Sequence, residues 1–420
     1  MPRSDYPRRA VITGIGPITP VGTGVDAFWH GLLREQGAVA RLTRFDTAPF
    51  HAKSAAEVSD FDPATYFTPH RLKRLDRYSQ LAVASARLAI EDSGLELSPD
   101  SPRARAGVSF GTALGGIANA ESEHTKFLQR GPKGVTRALA LQVFGGAAHS
   151  NIAIDYGLQG PGTTNSNSCA SANVALGDAL TWIRTGRAEV VIAGAAEAPL
   201  APLTYCAFDN IHTMSRFTGE PAGHACRPFD RARSGFVMGE GAASFVMEDL
   251  NHARERGARV YGEVLGFSQN NEAYHMTTPH PSGAPLRAAM RLALDDAEID
   301  PAAIDYINAH ASATQLNDIN ELQSISQVFG ARASEIPISG TKAYTGHPLG
   351  ATGGMEIAAC LLAIRNGWIP PTLHLEQPDE SFRHFDLVPR HGREVEITTV
   401  LTNAFGFGGI NSCLVLRAFR

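Results

Sequence analysis

The chain has 420 residues, of which 43% are hydrophobic and 19% charged, a composition typical of a large folded protein with an extensive core. Its formal net charge of −5 does not indicate a nucleic-acid-binding protein, and its five scattered cysteines do not indicate a disulfide framework. Residues 1–5 lack the apolar core of a signal peptide, and the apolar run near residues 190–195 is too short to cross a bilayer. We therefore expect a cytoplasmic protein with no membrane and no nucleic-acid partner.

Strand-like and helix-like segments alternate along the chain, which is typical of an α/β protein. The elements predicted in the first half are, in order, a buried strand at 11–14 that ends in a glycine-proline turn, a helix over 79–91, a strand over 106–111, a short strand within 160–166, a helix over 172–183, and strands over 188–193 and 241–248. A charged helix and turn over 251–257 precede a second cycle of the same kind.

The second cycle repeats the alternation without an intervening low-complexity linker. Its predicted elements are a strand over 260–267, a helix over 284–297, a strand over 304–308, a helix over 355–365, and strands over 400–407 and 412–416. We therefore predict an N-terminal half of residues 1–255 and a C-terminal half of residues 256–420, packed as one body.

One cysteine lies among small residues between a β-prone segment and an apolar helical segment. Cys169 follows Ser166, Asn167 and Ser168 and precedes a run of residues with helical apolar spacing. A thiol at the start of a helix faces the positive end of the helix dipole and free N–H groups, and both favour the nucleophilic thiolate. The segment alone leaves two interpretations open, a catalytic nucleophile or a buried structural cysteine.

Three further motifs carry candidate functional side chains in loops of small residues. His310 follows a predicted strand, Lys342 and His347 share a glycine-rich loop that opens a helix, and Phe405 precedes closely spaced glycines. A histidine after a strand can be structural, and Phe405 can be an ordinary core residue. A glycine-rich helix start can bind phosphate, but residues 346–354 do not match a P-loop. Because the two histidines have no third ligand at metal-binding spacing, we expect no metal site.

As a set, the motifs resemble those of the β-ketoacyl-acyl-carrier-protein synthases of the elongating type, which include the ketosynthase alpha subunits of type II polyketide synthases. The resemblance extends from residue 11 to about residue 415. It rests on the motifs at 169–171, 227–230, 235–241, 308–310, 342–347 and 405–409, and the polyketide likeness on 273–277 and 305–308. The resemblance implies a thiolase-like layered αβαβα fold built from two similar halves.

The chain departs from the pattern of this family at a few positions. Ala311 stands where glycine usually follows the histidine, Ser234 stands where aspartate is usual, and Ile410 stands where threonine is common. Asn167 and Ser168 replace a pair that is usually more like Thr-Ala. None of these departures removes a catalytic side chain, so they concern the subfamily and the substrate and not the reaction type.

The resemblance implies a decarboxylative Claisen condensation of an acyl chain with malonyl-acyl carrier protein, giving 3-oxoacyl-acyl carrier protein in fatty acid or type II polyketide biosynthesis. In this chain Cys169 would be the acylated nucleophile, and its N–H and that of Phe405 would form the oxyanion hole. His310 and His347 would polarise the malonyl thioester carbonyl, and Lys342 would hold the charge of the pocket. Phe405 would also gate access to the thiol on a mobile loop.

The resemblance also assigns residues that hold the substrates. Ser312 and Thr314 would bind the phosphopantetheine arm of the carrier, which is a substrate carrier and not a bound cofactor. The remaining assigned positions are Leu114 along an acyl tunnel, Asn403 and Glu356 beside the site, and Asp318 and Glu321 as acidic residues behind the first histidine. Leu114 could equally be an ordinary core residue.

Carrier proteins are acidic, so a local basic patch is expected on the enzyme. The resemblance places carrier docking at Arg71, Lys73, Arg74, Lys133 and Arg216, with Arg77 in the same basic cluster as the first three. A solvated helix face is the alternative interpretation of each of these charges.

Three other functions remain open at this point. A catalytically inactive chain-length factor would lack the cysteine, and a thiolase-type acyl-CoA enzyme would need a second catalytic cysteine, for which Cys413 is the candidate. An unrelated Cys/His hydrolase would give no role to Lys342 or His347. We expect a two-fold dimer through the strand beside the nucleophile loop, either a homodimer or a heterodimer with a homologous chain-length factor.

Overall fold

The computed structural model describes residues 8–98 and 103–419. The strands of the first half are β1 (Ala10–Thr19), β2 (Gly22–Thr23), β3 (Val39–Arg41), β4 (Ser54–Ala56), β5 (Ala106–Gly111), β6 (Gly162–Asn165), β7 (Val190–Glu197) and β8 (Gly241–Asp249). The strands of the second half are β9 (Gly262–Asn271), β10 (Tyr306–Asn308), β11 (Ile338–Ser339), β12 (Trp368–Ile369), β13 (Arg393–Glu394), β14 (Thr399–Gly406) and β15 (Ile410–Arg417).

The α-helices lie between these strands and vary widely in length. They are α1 (Val25–Leu33), α2 (Pro69–Leu72), α3 (Arg77–Ser93), α4 (Ile117–Arg130), α5 (Leu139–Gln142), α6 (Ala147–Tyr156), α7 (Ser171–Arg184), α8 (Pro202–Asn210), α9 (Leu250–Glu255), α10 (Ala284–Ala297), α11 (Gln315–Phe329), α12 (Lys342–Thr345) and α13 (Thr352–Asn366). None of the helices within the described ranges is both long and apolar enough to traverse a lipid bilayer. The signal-peptide expectation concerns residues 1–5, which lie outside the described residues.

One 11-stranded sheet contains strands from both halves, in the order β11-β10-β14-β15-β9-β1-β8-β7-β5-β6, with β2 paired to β1. In the first half β5 pairs in parallel with β6 and β7, whereas β8 is antiparallel to β7 and β1. In the second half β10 pairs in parallel with β11 and β14, whereas β15 is antiparallel to β14 and β9. The second half therefore repeats the strand order of the first. The predicted division between residues 255 and 256 falls between α9 and β9.

Helices form layers on both sides of these strands. Helix α3 packs on β1, β7 and β8, and α10 packs on β9 and β15, so each half has an outer helical layer. The central helices α7 and α13 contact each other and contact strands of both halves. The result is the αβαβα layering, with α7 and α13 in the middle layer.

The first predicted strand is longer than the sequence pattern indicated. The expected glycine-proline turn after Gly14 was wrong, because β1 continues through Gly16 to Thr19. A Cβ at Gly14 would lie 2.1 Å from the Ala89 carbonyl oxygen, and one at Gly16 would lie 2.0 Å from the Ser85 carbonyl oxygen. These glycines let α3 approach the sheet closely and do not form a turn.

Candidate active site

A cavity of about 250 Å³ lies where the carboxyl ends of strands from both halves meet. Its lining includes Cys169 from the first half and His310, His347, Ser312 and Thr314 from the second half. The two halves therefore contribute different reactive groups to one cavity, because the carboxyl ends of their parallel strands meet there.

Cys169 lies in a short 3-10 turn (Ser168–Ala170) between β6 and α7. Ser171 holds this turn, because its hydroxyl accepts the Asn167 N–H at 2.9 Å and donates to the Ser168 carbonyl oxygen at 2.8 Å. The thiol is 4% exposed, and burial raises its pKa to about 12, while Lys342 and the Phe407 N–H lower it. The helix start was expected to favour the thiolate, and the structure adds the opposing effect of burial. Desolvation of the charged form outweighs the favourable charge and N–H.

His347 is the partner of this thiol. Its Nε2 lies 3.0 Å from Cys169 Sγ, and its Nδ1 lies 2.6 Å from the hydroxyl oxygen of Thr352, the first residue of α13. Burial and the Lys342 ammonium both hold the pKa of His347 well below its ordinary value. The imidazole is therefore neutral at neutral pH, and one of its nitrogens can donate while the other accepts.

His310 lies beside His347 with its ring centroid 5.4 Å away and the ring planes at 80°. Glu321 of α11 positions the loop after β10, since its carboxylate accepts the N–H groups of His310 and Ala311 at 2.8 Å each. Burial, Lys342 and His347 hold the pKa of His310 well below its ordinary value. Its Nδ1 is buried and has no hydrogen-bond partner among the residues that the structure describes. The His310 ring also lines the cavity, where it can contact a bound molecule.

Lys342 lies behind both histidines and is 1% exposed. Its Nζ donates to the His310 carbonyl oxygen and to Glu356 Oε1, the latter at 2.5 Å. Burial raises the pKa of Glu356 to about 7, and Lys342 lowers it. The ammonium thus fixes the His310 loop and supplies positive charge next to both imidazoles.

Two family models match the chain in succession. The model of the β-ketoacyl synthase N-terminal domain matches residues 8–253, and that of the C-terminal domain matches residues 261–376. The chain belongs to the β-ketoacyl synthase family. Its members are acyltransferases that form carbon–carbon bonds, so this β-ketoacyl synthase is a condensing enzyme, and its layered fold is the thiolase-like fold that the resemblance implied.

Curated relatives resemble this β-ketoacyl synthase over nearly its whole length. The 3-oxoacyl-[acyl-carrier-protein] synthase 2 of Coxiella burnetii is 40% identical over 409 residues, covering 97% of this chain and 98% of that protein. The synthase 2 of Synechocystis is 37% identical over 416 residues, covering 98% and 99%.

Solved ketosynthase structures have the same fold. A type II polyketide synthase acyl carrier protein in complex with its ketosynthase, AntDE:AntF, has a TM-score of 0.91 at 33% identity, covering 99% of this chain and 100% of that chain. The ishigamide ketosynthase/chain length factor has a TM-score of 0.90 at 33% identity, covering 98% and 100%.

The two predicted histidines have a third potential metal ligand after all. Cys169, His310 and His347 each present one ligand atom, and these atoms lie within 4.8 Å of one another. The sequence argument from ligand spacing was wrong, because the fold brings the cysteine to the histidines. The Lys342 ammonium lowers the pKa of both imidazoles, and the same positive field opposes a bound divalent cation.

Of the two phenylalanines in the 405–409 motif, Phe407 and not Phe405 has its N–H at the nucleophile. Phe405 lines the cavity but belongs to β14, pairs with Asn411 of β15 and is 7% exposed. Phe407 is half-buried in the turn between β14 and β15, and its N–H forms a hydrogen bond with the Cys169 thiol. The mobile Phe405 gate is therefore corrected, because a ring in a paired, buried strand is a core residue, and the N–H at the thiol is that of Phe407 in place of the predicted Phe405.

The predicted substrate residues separate into two groups. Ser312 and Thr314 line the cavity, with their hydroxyl oxygens 2.9 Å apart, and Leu114 is half-buried in the apolar cluster that includes Phe407. Asn403 lies behind the cavity, where it donates to Glu321 and accepts from the Cys413 thiol. Glu356 also lies behind the cavity, paired with Lys342. The latter two therefore position the site and do not line it.

The other predicted acidic residue, Asp318, is fully buried and lies apart from the cavity. Its carboxylate accepts the Phe229 N–H at 2.9 Å and lies 3.5 Å from the Arg233 guanidinium. It therefore holds the 227–230 motif against α11, which is the structural role considered for it in the sequence.

The basic residues predicted for carrier docking are surface residues, but their positions differ. Arg216 lies at the cavity mouth, because its Nη2 is 2.5 Å from Nδ1 of His212, which lines the cavity. Arg71 forms an ion pair with Asp155 at 2.8 Å. Lys73, Arg74 and Lys133 are exposed.

Arg77 does not belong to the exposed basic surface. Its guanidinium donates to both carboxylate oxygens of the fully buried Glu240, at 2.7 and 2.8 Å. Arg77 therefore attaches the start of α3 to the residue that precedes β8, and its guanidinium is not available to an acidic partner.

The sequence did not single out Thr352 or Ser171 as site residues. Each is the first residue of a central helix, and each hydroxyl fixes the segment that carries a reactive side chain. A hydroxyl residue near a helix start usually indicates an N-cap, but the N-caps here are Ala170 and Ala351, so the sequence did not reveal what these hydroxyls bind.

Proposed function

We propose that this chain catalyses the decarboxylative Claisen condensation of an acyl chain with malonyl-acyl carrier protein, giving 3-oxoacyl-acyl carrier protein in fatty acid or type II polyketide biosynthesis. The observation that carries the proposal is the buried contact between Cys169 Sγ and His347 Nε2, with His310 beside it. A thiol, two neutral imidazoles and a buried ammonium match the needs of acyl transfer followed by enolate formation.

In the first step the Cys169 sulfur attacks the thioester carbonyl of an acyl carrier. The thiol proton passes to His347 Nε2 as the carbon–sulfur bond forms, since burial leaves Cys169 protonated at rest. The tetrahedral intermediate places its oxyanion at the Cys169 and Phe407 N–H groups. The bond to the carrier sulfur then breaks, and the carrier leaves as a thiol that takes the proton from His347.

In the second step a malonyl thioester loses CO2. The bond to the carboxylate carbon breaks, and its electron pair moves to the thioester carbonyl, which becomes an enolate that accepts hydrogen bonds from His310 and from His347, the latter in the tautomer in which Nε2 carries the proton and Nδ1 accepts from the Thr352 hydroxyl. The enolate carbon then attacks the acyl-Cys169 carbonyl, a carbon–carbon bond forms, and Cys169 leaves as the thiolate, which takes up a proton from solvent to restore the resting thiol. Lys342 positions the His310 loop by donating to the His310 carbonyl oxygen. Its positive charge lowers the pKa of both imidazoles and so keeps them neutral.

The carrier arm and the acyl chain would take different sides of the cavity. Ser312 and Thr314, from the loop after β10, would hydrogen-bond the phosphopantetheine arm. Leu114, in the loop after β5, would lie along the acyl chain with the apolar cluster around Phe407. Arg216 at the mouth would attract an acidic carrier.

A two-fold dimer is part of the proposal. Strand β6 forms one end of the sheet and presents a partly exposed edge. Large apolar side chains are exposed on the neighbouring helices, among them Leu128 at 71%, Leu141 at 69% and Ile154 at 66%. An apolar surface beside an open strand edge suits a partner of the same fold, either a second copy or a homologous chain-length factor.

The alternatives fit less well. A chain-length factor needs no nucleophile, yet Cys169 is in hydrogen-bond contact with His347. A thiolase-type enzyme would use Cys413 as its second cysteine, but this thiol is fully buried in β15 and donates to Asn403.

The test supplies octanoyl- and malonyl-acyl carrier protein and follows three products. Intact-mass spectrometry measures the acyl adduct on Cys169, released CO2 reports decarboxylation, and chromatography detects the 3-oxoacyl product. Cys169→Ala should abolish the adduct and the product, whereas Cys206→Ala, a half-exposed control, should retain both. An adduct that persists in Cys169→Ala and maps to Cys206 or Cys413 would refute the assignment.

The oligomeric part of the proposal is tested by sedimentation of the purified chain. We expect a dimer at micromolar concentration, or a chain that becomes active only when a homologous sister chain is added. A fully active monomer would contradict the proposed dimer.

A further inference from the structure

Glu197, the last residue of β7, is a fully buried carboxylate to which the condensing chemistry above gives no role. Its two oxygens accept four hydrogen bonds. Oε1 accepts from the Thr112 hydroxyl at 3.0 Å and from the Leu114 N–H at 3.1 Å. Oε2 accepts from the Ala113 N–H at 2.6 Å and from the Gly350 N–H at 3.1 Å. The carboxylate is thus satisfied by two separate segments of the chain.

One of these segments would contact the acyl chain, and the other carries the catalytic imidazole of His347. The loop at 112–115 follows β5 in the first half and carries Leu114, which packs in the same apolar cluster as Leu349. The turn at 347–352 lies in the second half, and Gly350 stands in it between His347 and Thr352, the two ends of the Nδ1 hydrogen bond. A single side chain therefore joins the loop on the acyl side to the turn that carries the imidazole.

The turn at 347–352 and the loop at 112–115 are so close at Gly350 that no side chain fits between them. A Cβ at Gly350 would lie 2.5 Å from the Ala113 backbone nitrogen and 2.8 Å from Glu197 Oε2. Glycine is therefore required at this position, because only a bare backbone can approach the 112–115 loop and the carboxylate together.

The nucleophile turn is attached to the same arrangement. The Ser171 hydroxyl, which holds the turn around Cys169, lies 3.2 Å from the Thr112 carbonyl oxygen. Thr112 in turn donates its hydroxyl to Glu197. Burial raises the pKa of Glu197 to about 7, and in its charged form this carboxylate raises the pKa of Cys169.

We propose that Glu197 is a positioning residue of this ketosynthase, whose carboxylate keeps the loop at 112–115, the Cys169 turn and the His347 turn in one register. The inference rests on the proposed function. Both half-reactions depend on this register, because acyl transfer needs the thiol beside the acyl loop and decarboxylation needs His347 at a fixed place. Misplacement of a reacting group by about 1 Å can cost on the order of 100-fold in rate.

The substitution that tests the role is Glu197→Gln. A carboxamide has one acceptor oxygen, and its NH2 group would face two of the four donors, so the two segments must separate. The matched control is Glu248→Gln. Glu248 is an equally buried carboxylate in β8, where it pairs with Val190 at the start of β7. It accepts hydrogen bonds from Arg256, His252 and Thr13.

The experiment measures kcat and KM for acyl transfer from octanoyl-acyl carrier protein and for CO2 release from malonyl-acyl carrier protein, per mole of folded protein. We expect Glu197→Gln to lower kcat of both half-reactions by about 10- to 100-fold, with KM within about twofold of the wild type. Glu248→Gln should lower the melting temperature and leave both kcat values near those of the wild type.

A lower melting temperature with both kcat values unchanged in Glu197→Gln would make the residue merely structural and overturn the proposal. A loss confined to one half-reaction would also overturn it, because the carboxylate would then serve one segment only. If Glu197→Gln does not fold, Thr112→Val replaces it, since this variant removes one donor to Oε1 and should slow both half-reactions by several-fold. Wild-type protein without either half-reaction would instead refute the proposed function, and the inference with it.

Discussion

The segments that follow β6 and β11 occupy equivalent places in the two halves, yet they deliver different chemistry. After β6 the chain turns through Cys169 into α7, and after β11 it passes Lys342 and His347 before α13. Both central helices begin with a hydroxyl residue that fixes the preceding segment. The repeated topology therefore supplies two equivalent scaffolds, and the side chains placed on them divide the work into a nucleophile side and an enolate side.

The loops after β5 and β10 show the same division. The loop after β5 contributes Leu114 to an apolar cluster, whereas the loop after β10 contributes His310 and two hydroxyl groups to the cavity. An acyl chain needs apolar surface, and a malonyl thioester on a pantetheine arm needs hydrogen-bond donors. The comparison thus predicts that substitutions in the second half will slow decarboxylation more than they slow acyl loading.

The largest effect that tests this division is expected from His310→Ala and His347→Ala. Each removes one N–H donor to the enolate, and loss of one such donor costs about 100- to 1000-fold in rate. CO2 release should fall by that factor in both variants, measured with malonyl-acyl carrier protein. Acyl-Cys169 should still form in His310→Ala, and more slowly in His347→Ala because His347 contacts the thiol. Normal CO2 release in both variants would contradict the enolate role.

The next effect concerns stability and separates the two phenylalanines of the β14–β15 hairpin. Phe405→Ala removes a buried ring from β14 and should lower the free energy of unfolding by about 3–5 kcal/mol. Phe407→Ala removes a half-buried ring from the turn and should cost clearly less. Urea denaturation of both variants measures the difference. Equal losses would mean that the two rings are equivalent core residues.

A smaller effect is expected where the second central helix begins. Thr352→Val keeps the shape of the side chain but removes the hydroxyl that bonds His347 Nδ1 at 2.6 Å. Loss of one hydrogen bond of about 1 kcal/mol should slow CO2 release by about fivefold. Thr352→Ser is the matched control, since it retains the hydroxyl and should keep the wild-type rate. A slow serine variant with a normal valine variant would show that packing and not hydrogen bonding is responsible.

The smallest effect is expected at the cavity mouth. Arg216→Glu should raise KM for a carrier-bound substrate by several-fold, and the increase should shrink as salt is added, because exposed charges are screened. Arg105→Glu is the control. Arg105 forms an ion pair with Glu189 at the amino ends of β5 and β7, whereas the cavity lies at the carboxyl ends of the strands. Equal changes in KM for both variants would indicate a general charge effect and no docking at the mouth.

Much of this fold was visible in the sequence. The predicted strand at 106–111 and the predicted helix at 284–297 coincide with β5 and α10, because their apolar spacing is regular. The structure brings Cys169, His310 and His347 of the family motifs to one cavity, with Lys342 behind the two histidines, and their catalytic roles stay predictions.

The features that were missed depend on distant contacts. The segment after Gly14 was predicted as a turn, but Gly14 and Gly16 both lie in β1, where their lack of a side chain lets α3 pack against them. The pKa of Cys169 follows from its burial and not from its helix start. Phe405 and Phe407 are two residues apart in one motif, and only the end of β14 at Gly406 separates a strand residue from a turn residue.

The position of β1 in the sheet has a consequence for how the chain folds. This strand is made early in synthesis, yet its hydrogen-bonding neighbours are β8, which begins at Gly241, and β9, which begins at Gly262. A nascent chain therefore carries this ten-residue strand, which is fully buried in the folded protein, without those neighbours until β8 and β9 have been made. Pairing between such distant segments is slow and leaves apolar edges exposed, so we expect fragments that end before β8 to aggregate.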